Sequence, residues 1–272
     1  MVHPTAIIHP KAKLHASVRV GPYAVIDEGV EVGAECVIGP HVYLTGWTTI
    51  GARNRFHAGC VIGDAPQDLK YRDEPTRLRL GDENVLREHV TIHRSSRPAE
   101  ETVIGANNFF MANAHVAHNC QIGNHVILAN GALLGGYVTV QDRAFISGNC
   151  LVHQFTRVGT LALMQGGSGI SKDLPPYTIA VNANEICGLN LVGLRRAGFT
   201  ADERLELKQV YHALFRSGRN LGQALAAVKP AGAGRAARRL FDFVAESKRG
   251  CCSDVGVGAG KAARKKETYP EH

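Results

Sequence analysis

Residues Phe110 to Cys150 read FMANAHVAHNCQIGNHVILANGALLGGYVTVQDRAFISGNC, and every sixth position is apolar: Phe110, Val116, Ile122, Leu128, Leu134, Val140 and Ile146. The register begins at Ile8 and runs through Leu14, Val20, Ile26, Val32, Ile38, Leu44, Ile50, Phe56 and Ile62. After a gap it resumes at Leu80, Leu86 and Ile92, and after a second gap it runs from Ile104 to Val152, Val158, Met164 and Ile170. A period of six belongs neither to a 3.6-residue helix nor to a flat alternating strand, and short self-similar periods mark solenoids. The position after the apolar residue is often glycine, as at Gly21, Gly33, Gly51 and Gly135, and the fourth position after it is small or β-branched, as at Ala24, Cys36, Ala114, Cys120, Val126 and Cys150. The apolar and the small position are both expected to face inward, with glycine at corners where positive φ or close backbone approach is needed. Three hexads then close one 18-residue triangular coil, and stacked coils form three parallel sheets spaced by about 4.8 Å.

Periodicity carries no hand. The pattern resembles the hexapeptide-repeat proteins, and that resemblance implies a left-handed parallel β-helix, against the usual right-handed crossover preference. Two polar, proline-containing segments leave the register, 64–79 (DAPQDLKYRDEPTRLR) and 94–102 (RSSRPAEET); excursions from a rigid prism are natural carriers of binding groups. The hexads stop near Leu174, and from Asn190 the period becomes helical. Thr200 with Glu203 makes a capping box before one helix, and further helices are expected over 221–228 and 235–247. The fold class is therefore mainly β: a left-handed β-helix over 1–189 with loops 64–79 and 94–102, a small C-terminal α-helical domain over 190–250, and a disordered Gly/Ala/Lys-rich tail over 251–272.

The chain has 272 residues, 44% of them hydrophobic, which is ample for a core. Its seven cysteines form no CxxC pair, so a reducing compartment fits best. Neither a signal peptide nor a membrane span is legible, and a cytoplasmic location is expected. The net charge of +7 is scattered rather than interleaved with aromatics, which disfavours nucleic acid as a partner and suits an acidic protein or a phosphorylated small molecule.

Within NAHVAHNC, Asn113 to Cys120, the inward residues are Val116 and Cys120, so His118 and His115 lie outside the core. Residues 18 apart stack, which sets Gly136 over His118 and Gln154 over Gly136. An outward imidazole can take a proton from an alcohol, and a glycine N–H one coil away can approach an oxyanion; together they suit acyl transfer. His153, and Asp68 and Lys70 on the first loop, could complete a site if a neighbouring subunit supplied the opposite wall. The other ten histidines, among them His93, are read as polar surface residues.

Beyond the repeats, the stretches QDLKYRDEPTRL, VTIHR, NAHVAHNC, LVHQF, SKDLPPY and GLNLVGLRRAGF resemble the UDP-N-acetylglucosamine O-acyltransferases over roughly residues 1 to 250. These enzymes begin lipid A biosynthesis by moving a 3-hydroxyacyl group from acyl carrier protein to the sugar 3-hydroxyl. The resemblance implies His118 as general base and Gly136 N–H as oxyanion donor. It implies that Asp68, Lys70, His115, His153 and Gln154 bind or orient the nucleotide sugar UDP-N-acetylglucosamine, and that Asn190 and Arg196 lie near its diphosphate. Gly166 stands at the position that limits acyl length and leaves the groove open, implying a medium-to-long chain. The resemblance further implies a homotrimer, no metal and no cofactor beyond the acyl carrier protein thioester. Arg143, Arg157, Lys172 and Arg195 are candidates for the carrier's acidic helix.

The chain departs from the family's best-known pattern at Asn119 (often Asp), Tyr137 (His), Val192 (acidic) and Ala197 (Arg). An amide orients an imidazole but cannot stabilise an imidazolium electrostatically. Either a 3-hydroxyl or a 3-amino sugar is compatible with these changes. Two rival readings remain open at this level: a zinc carbonic anhydrase on the same fold, with His115 and His118 as ligands, and a UDP-sugar-binding protein without turnover.

Overall fold

A computed structural model describes residues 1–228 and 233–256 of the chain. Short strands wind into a left-handed, three-sided β-helix. The first sheet runs from Ile7–Ile8 to Gly169–Ile170, the second from Lys13–Leu14 to Arg157–Val158, and the third begins at Arg19–Val20. Pairing is parallel and in the register of the hexads: Phe110 lies on Leu128, Val116 on Leu134 and Ile122 on Val140. The first loop lengthens one coil, so that Leu80 lies on Ile50, and the second puts Ile104 on Leu80.

The interior follows the inward pattern. The apolar hexad positions from Val20 onward and the small positions from Ala24 to Cys150 are buried in one continuous core. Glycine plays both expected parts, mostly at different positions of the hexad. A Cβ at Gly33 would sit 2.7 Å from the carbonyl carbon of Gly51 on the next coil, so close approach demands glycine there. Positive φ falls mostly on the third residue after the apolar position, where glycine carries it at Gly29, Gly59 and Gly131 and non-glycine residues carry it elsewhere: Glu35, Arg53, Asn119, Tyr137 and Phe155 all have φ between 57° and 63°. The side chain at that corner is free to do chemistry.

The third sheet ends in a hairpin, Thr178–Val181 with Glu185–Leu189, that leads into the helices. These are α1 (Leu191–Arg196), α2 (Ala201–Phe215), α3 (Leu221–Ala227) and α4 (Arg235–Ala245). The Thr200–Glu203 capping box is formed in both directions, satisfying two N-terminal amides of α2. Residues 251–256, composition notwithstanding, are not a disordered tail. Ser253–Asp254 adds a final parallel strand to Glu185–Ile186, Cys251 and Cys252 are buried, and the buried Asp254 carboxylate accepts from Tyr211 and from Arg216 Nε at 3.0 Å. Burial of two thiols and one paired carboxylate outweighs what Gly/Ala/Lys content alone suggests. The rest of the expected tail lies outside the described residues.

Asp173 is the second buried carboxylate at this end. It accepts from Arg157 N and Nε, each at 2.9 Å, and from Ser247 Oγ at 2.8 Å. Arg157 also donates to the Phe243 carbonyl and lies 4.2 Å from that ring's centroid. Its guanidinium is thus consumed in joining prism to α4, which withdraws it from the set of free cations. Asp173→Ala removes the buried partner of the Arg157 guanidinium and leaves it, among the described residues, only the exposed Glu246 carboxylate at 3.7 Å as an anionic partner; it is expected to cost about 3 kcal/mol of stability, read from urea unfolding. A loss below about 1 kcal/mol would show that the ion pair does not join the two parts.

Candidate active site

The turn from the first sheet to the second brings His118 and Asn119 to one edge of the prism, directly after the strand His115–Val116. Asn119 is buried, and its side-chain amide and backbone N–H are all engaged. Its backbone N–H donates to Thr102 Oγ1 at 2.7 Å, and its Nδ2 donates to Ser95 Oγ at 2.8 Å and Glu100 Oε2 at 2.6 Å. Its Oδ1 accepts from the backbone N–H and the hydroxyl of Ser96, at 2.9 and 3.0 Å. A backbone N–H can only donate and a carboxylate only accepts, so this network fixes which end of the amide is oxygen. His118 Nδ1 lies 2.8 Å from that oxygen and must therefore be the protonated nitrogen, leaving Nε2 with its lone pair. The second loop, 94–102, sets the tautomer of an imidazole more than a coil away in sequence.

Gly136 stacks on His118 as the 18-residue period requires, with Tyr137 N donating to His118 O at 2.9 Å. A Cβ at Gly136 would come 2.7 Å from both Cε1 and Nε2 of the ring. Only glycine admits the imidazole there. The Gly136 N–H has no hydrogen-bond partner among the described residues. Tyr137 meets the His118 ring edge to face, centroids 5.5 Å apart, and stacks on Phe155 at 4.7 Å. Position 137 therefore supplies a wall for the imidazole.

A groove of about 690 Å³ opens beside these residues, lined by His115, His118, Gly136, His153, Gln154 and the half-exposed Leu151 among others. Gln67 of the first loop reaches it. Asp68, whose carboxylate accepts from Lys70 N at 3.0 Å, and the exposed Lys70 stand on the same loop outside the groove lining. His153 Nδ1 lies 3.5 Å from Arg249 of the C-terminal region, a cation that nothing in the sequence pattern points to.

Three candidates do not join His118 within one protomer. Asn190 caps α1, its Oδ1 accepting from Gly193 N and its Nδ2 donating to Leu161 O, at the corner between the second and third sheets. Arg196 is exposed on that short helix. Gly166 sits at the corner between the third and first sheets, exposed above Gly148. The prism has three corners, and these residues occupy the two that His118 does not.

His93 departs from its reading as a surface residue. It is buried, its ring meets His115 edge to face at 4.8 Å, and its Nδ1 has no hydrogen-bond partner among the described residues. The VTIHR stretch ends a strand and leads directly into the second loop, and spacing alone does not show that this position is buried. Burial holds the His93 pKa below the usual histidine value. His115, which shares a 2.7 Å hydrogen bond with Thr91 Oγ1, is pushed down to about 4, chiefly by burial and then by the neighbouring His93 and His118. Among the described residues no three His, Cys, Asp or Glu side chains are grouped to hold a metal ion.

The depressed His115 value has a consequence for stability. Between pH 6.5 and about 4 the unfolded chain binds a proton at this position that the folded chain refuses. Stability contributed by the neutral ring is complete above pH 6.5 and falls as pH drops through that window. Urea unfolding of His115→Gln is expected to show a slope shallower by up to about 1.4 kcal/mol per pH unit there. Parallel slopes for the two proteins would remove the assignment.

Comparison with known proteins adds sequence-wide likeness. A family model described as UDP N-acetylglucosamine O-acyltransferase, domain 2, matches residues 173–252, and the bacterial transferase hexapeptide model matches 11–46 and 101–136. A protein of Syntrophobacter fumaroxidans named acyl-acyl-carrier-protein UDP-N-acetylglucosamine O-acyltransferase is 46% identical over 253 residues, covering 92% of this chain and 98% of its own. One of the same name from Thermodesulfovibrio yellowstonii is 43% identical over 259 residues, with the same coverage. Among solved structures, the UDP-N-acetylglucosamine acyltransferase of Francisella novicida superposes with a TM-score of 0.90 at 33% identity, covering 97% of this chain and all of that one. The Bacteroides fragilis enzyme gives 0.86 at 38%, covering 92% and 99%.

Proposed function

Because the chain belongs to the acyl-acyl-carrier-protein UDP-N-acetylglucosamine O-acyltransferase family, we propose that it carries out that transfer at the His118 edge, moving an (R)-3-hydroxyacyl group to the sugar 3-position as the first step of lipid A biosynthesis. The observation that carries this reading is the His118 tautomer: Nδ1–H held by Asn119, Nε2 free, and Gly136 against the ring.

In the proposed reaction Nε2 takes the proton of the 3-hydroxyl as its oxygen attacks the thioester carbonyl. The tetrahedral oxyanion receives the Gly136 N–H. Collapse breaks the carbon–sulfur bond, and the departing thiolate of acyl carrier protein takes the proton back from the imidazolium. The thioester is already activated, so this scheme calls for no metal, cofactor or acyl-enzyme. Neutral His115, with His153 and Gln154, orients the sugar; Leu133 and Leu151 offer apolar surface beside it.

Asn190, Arg196 and Gly166 stand at the other two corners, and a closed three-fold assembly brings one protomer's corner against another's His118 edge. Asp68 and Lys70 then complete the nucleotide contacts, Arg196 meets the diphosphate, and Gly166 lies along the acyl chain. The acidic helix of acyl carrier protein docks on Arg143, Lys172 and Arg195, all of them exposed. Among the described residues no helix is long and apolar enough to cross a membrane, and we place the reaction in the cytoplasm.

A single product assay tests the reading. The purified protein is mixed with acyl carrier protein thioesters of several lengths and with both UDP-N-acetylglucosamine and its 3-amino analogue, and products are weighed by mass spectrometry. A medium-to-long 3-hydroxyacyl adduct is the expected product. Unchanged nucleotide sugar with every thioester would overturn the reading and leave a sugar-binding protein.

A further inference from the structure

His118 lacks a carboxylate neighbour, because position 119 is an amide that cannot compensate a developing imidazolium. The charge is present one residue further out. Glu100 Oε2 accepts from Asn119 Nδ2 at 2.6 Å, and the Oδ1 of the same amide faces His118 Nδ1 at 2.8 Å. A planar amide transmits polarisation between its ends, so a carboxylate on Nδ2 increases the electron density on Oδ1. We propose that Glu100, on the loop preceding the strand Glu101–Ile104, is a positioning residue of the acyl transfer: through the Asn119 amide it holds the His118 tautomer and stabilises the imidazolium that forms in the transition state.

The surroundings of Asn119 favour this role over simple loop anchoring. Ser95, Ser96 and Thr102 already satisfy the loop's own connection to it, through its Nδ2, Oδ1 and backbone N–H. Glu100 adds the shortest contact, 2.6 Å, and the only charge in the network. Its second oxygen lies 3.7 Å from Arg97 Nη1, an exposed pair that water screens. The other titratable groups packed about His118 are His93 and His115, which burial disposes to neutrality, and Tyr137. Among the described residues Glu100 is thus the one anion coupled to the ring, by way of an amide in place of a direct contact. The inference rests on His118 as the base, but its readout does not require turnover.

The test is a pH titration of the His118 ring in intact protein labelled with nitrogen-15 at histidine. Glu100→Gln keeps the length and an acceptor oxygen for Asn119 and removes only the charge. It is expected to lower the His118 midpoint by about 0.5 to 1 unit, the effect of a unit charge screened at that separation. The acid limb of kcat/KM moves down equally, while KM for the nucleotide sugar stays within twofold. Glu100→Asp, which retains the charge, is expected to restore most of the wild-type midpoint, and it provides the comparison if the Gln variant folds poorly. Coincident midpoints in Glu100→Gln and wild type would overturn the inference whatever the activity. An inactive wild type with the midpoint shift intact would instead overturn the functional reading and leave the relay standing.

Discussion

His118→Ala is expected to lower kcat by about 10²- to 10⁴-fold, the usual contribution of a positioned general base, while affinity for UDP-N-acetylglucosamine changes little. The reason is geometric. In the proposed mechanism the ring meets the substrate through Nε2, whereas the nucleotide is held by groups elsewhere in the groove and by a second protomer. Truncating the ring therefore removes an interaction made chiefly in the transition state. The fold is expected to be unaffected, because His118 projects from a corner and contributes nothing to the buried core. Steady-state kinetics with saturating acyl carrier protein thioester check this, and a wild-type kcat would remove His118 from the mechanism.

Gly136→Ala is expected to cost about 10²-fold in kcat with little change in melting temperature. An added methyl would lie 2.7 Å from Cε1 and Nε2 of His118, and the ring cannot retreat freely because its Nδ1 is held by Asn119. It must swing, carrying Nε2 off the line to the sugar hydroxyl, and displacements near 1 Å cost about two orders of magnitude. Stability should survive because Gly136 does not adopt positive φ and the obstructed atoms belong to a side chain. Gly33 makes the contrast: a methyl there meets backbone of the next coil. A Gly136→Ala enzyme as fast as wild type would mean that the ring does not work from this position.

Those two residues were legible because the solenoid converts sequence separation into distance. Once Val116 and Cys120 are recognised as inward, His118 is outward, and 18 residues later Gly136 must lie on it. The same arithmetic places Gln154, one more coil along. It fails wherever the chain leaves the period. Nothing in RSSRPAEET says that Ser95, Ser96 and Glu100 turn back onto Asn119, since an excursion has no register to count by. His93 departs from a surface reading for a related reason: it ends a strand just where the chain leaves the period, so no register shows its burial. Arg157 looked like a free cation because its partners, Asp173 and Phe243, lie beyond the last regular hexad.

By itself, then, the sequence determined the β-helix, its inward and outward faces, and the stacking of a glycine on a histidine, because a six-residue period of apolar side chains has no other way to bury itself. Tertiary structure alone decided which nitrogen of His118 carries the proton, that residues 251–256 join the fold, and that Asn190 and Arg196 stand at another corner than the base. Each of those depends on hydrogen bonds between segments with no common period, and a hydrogen bond is directional: it forms only where folding has brought donor and acceptor into line.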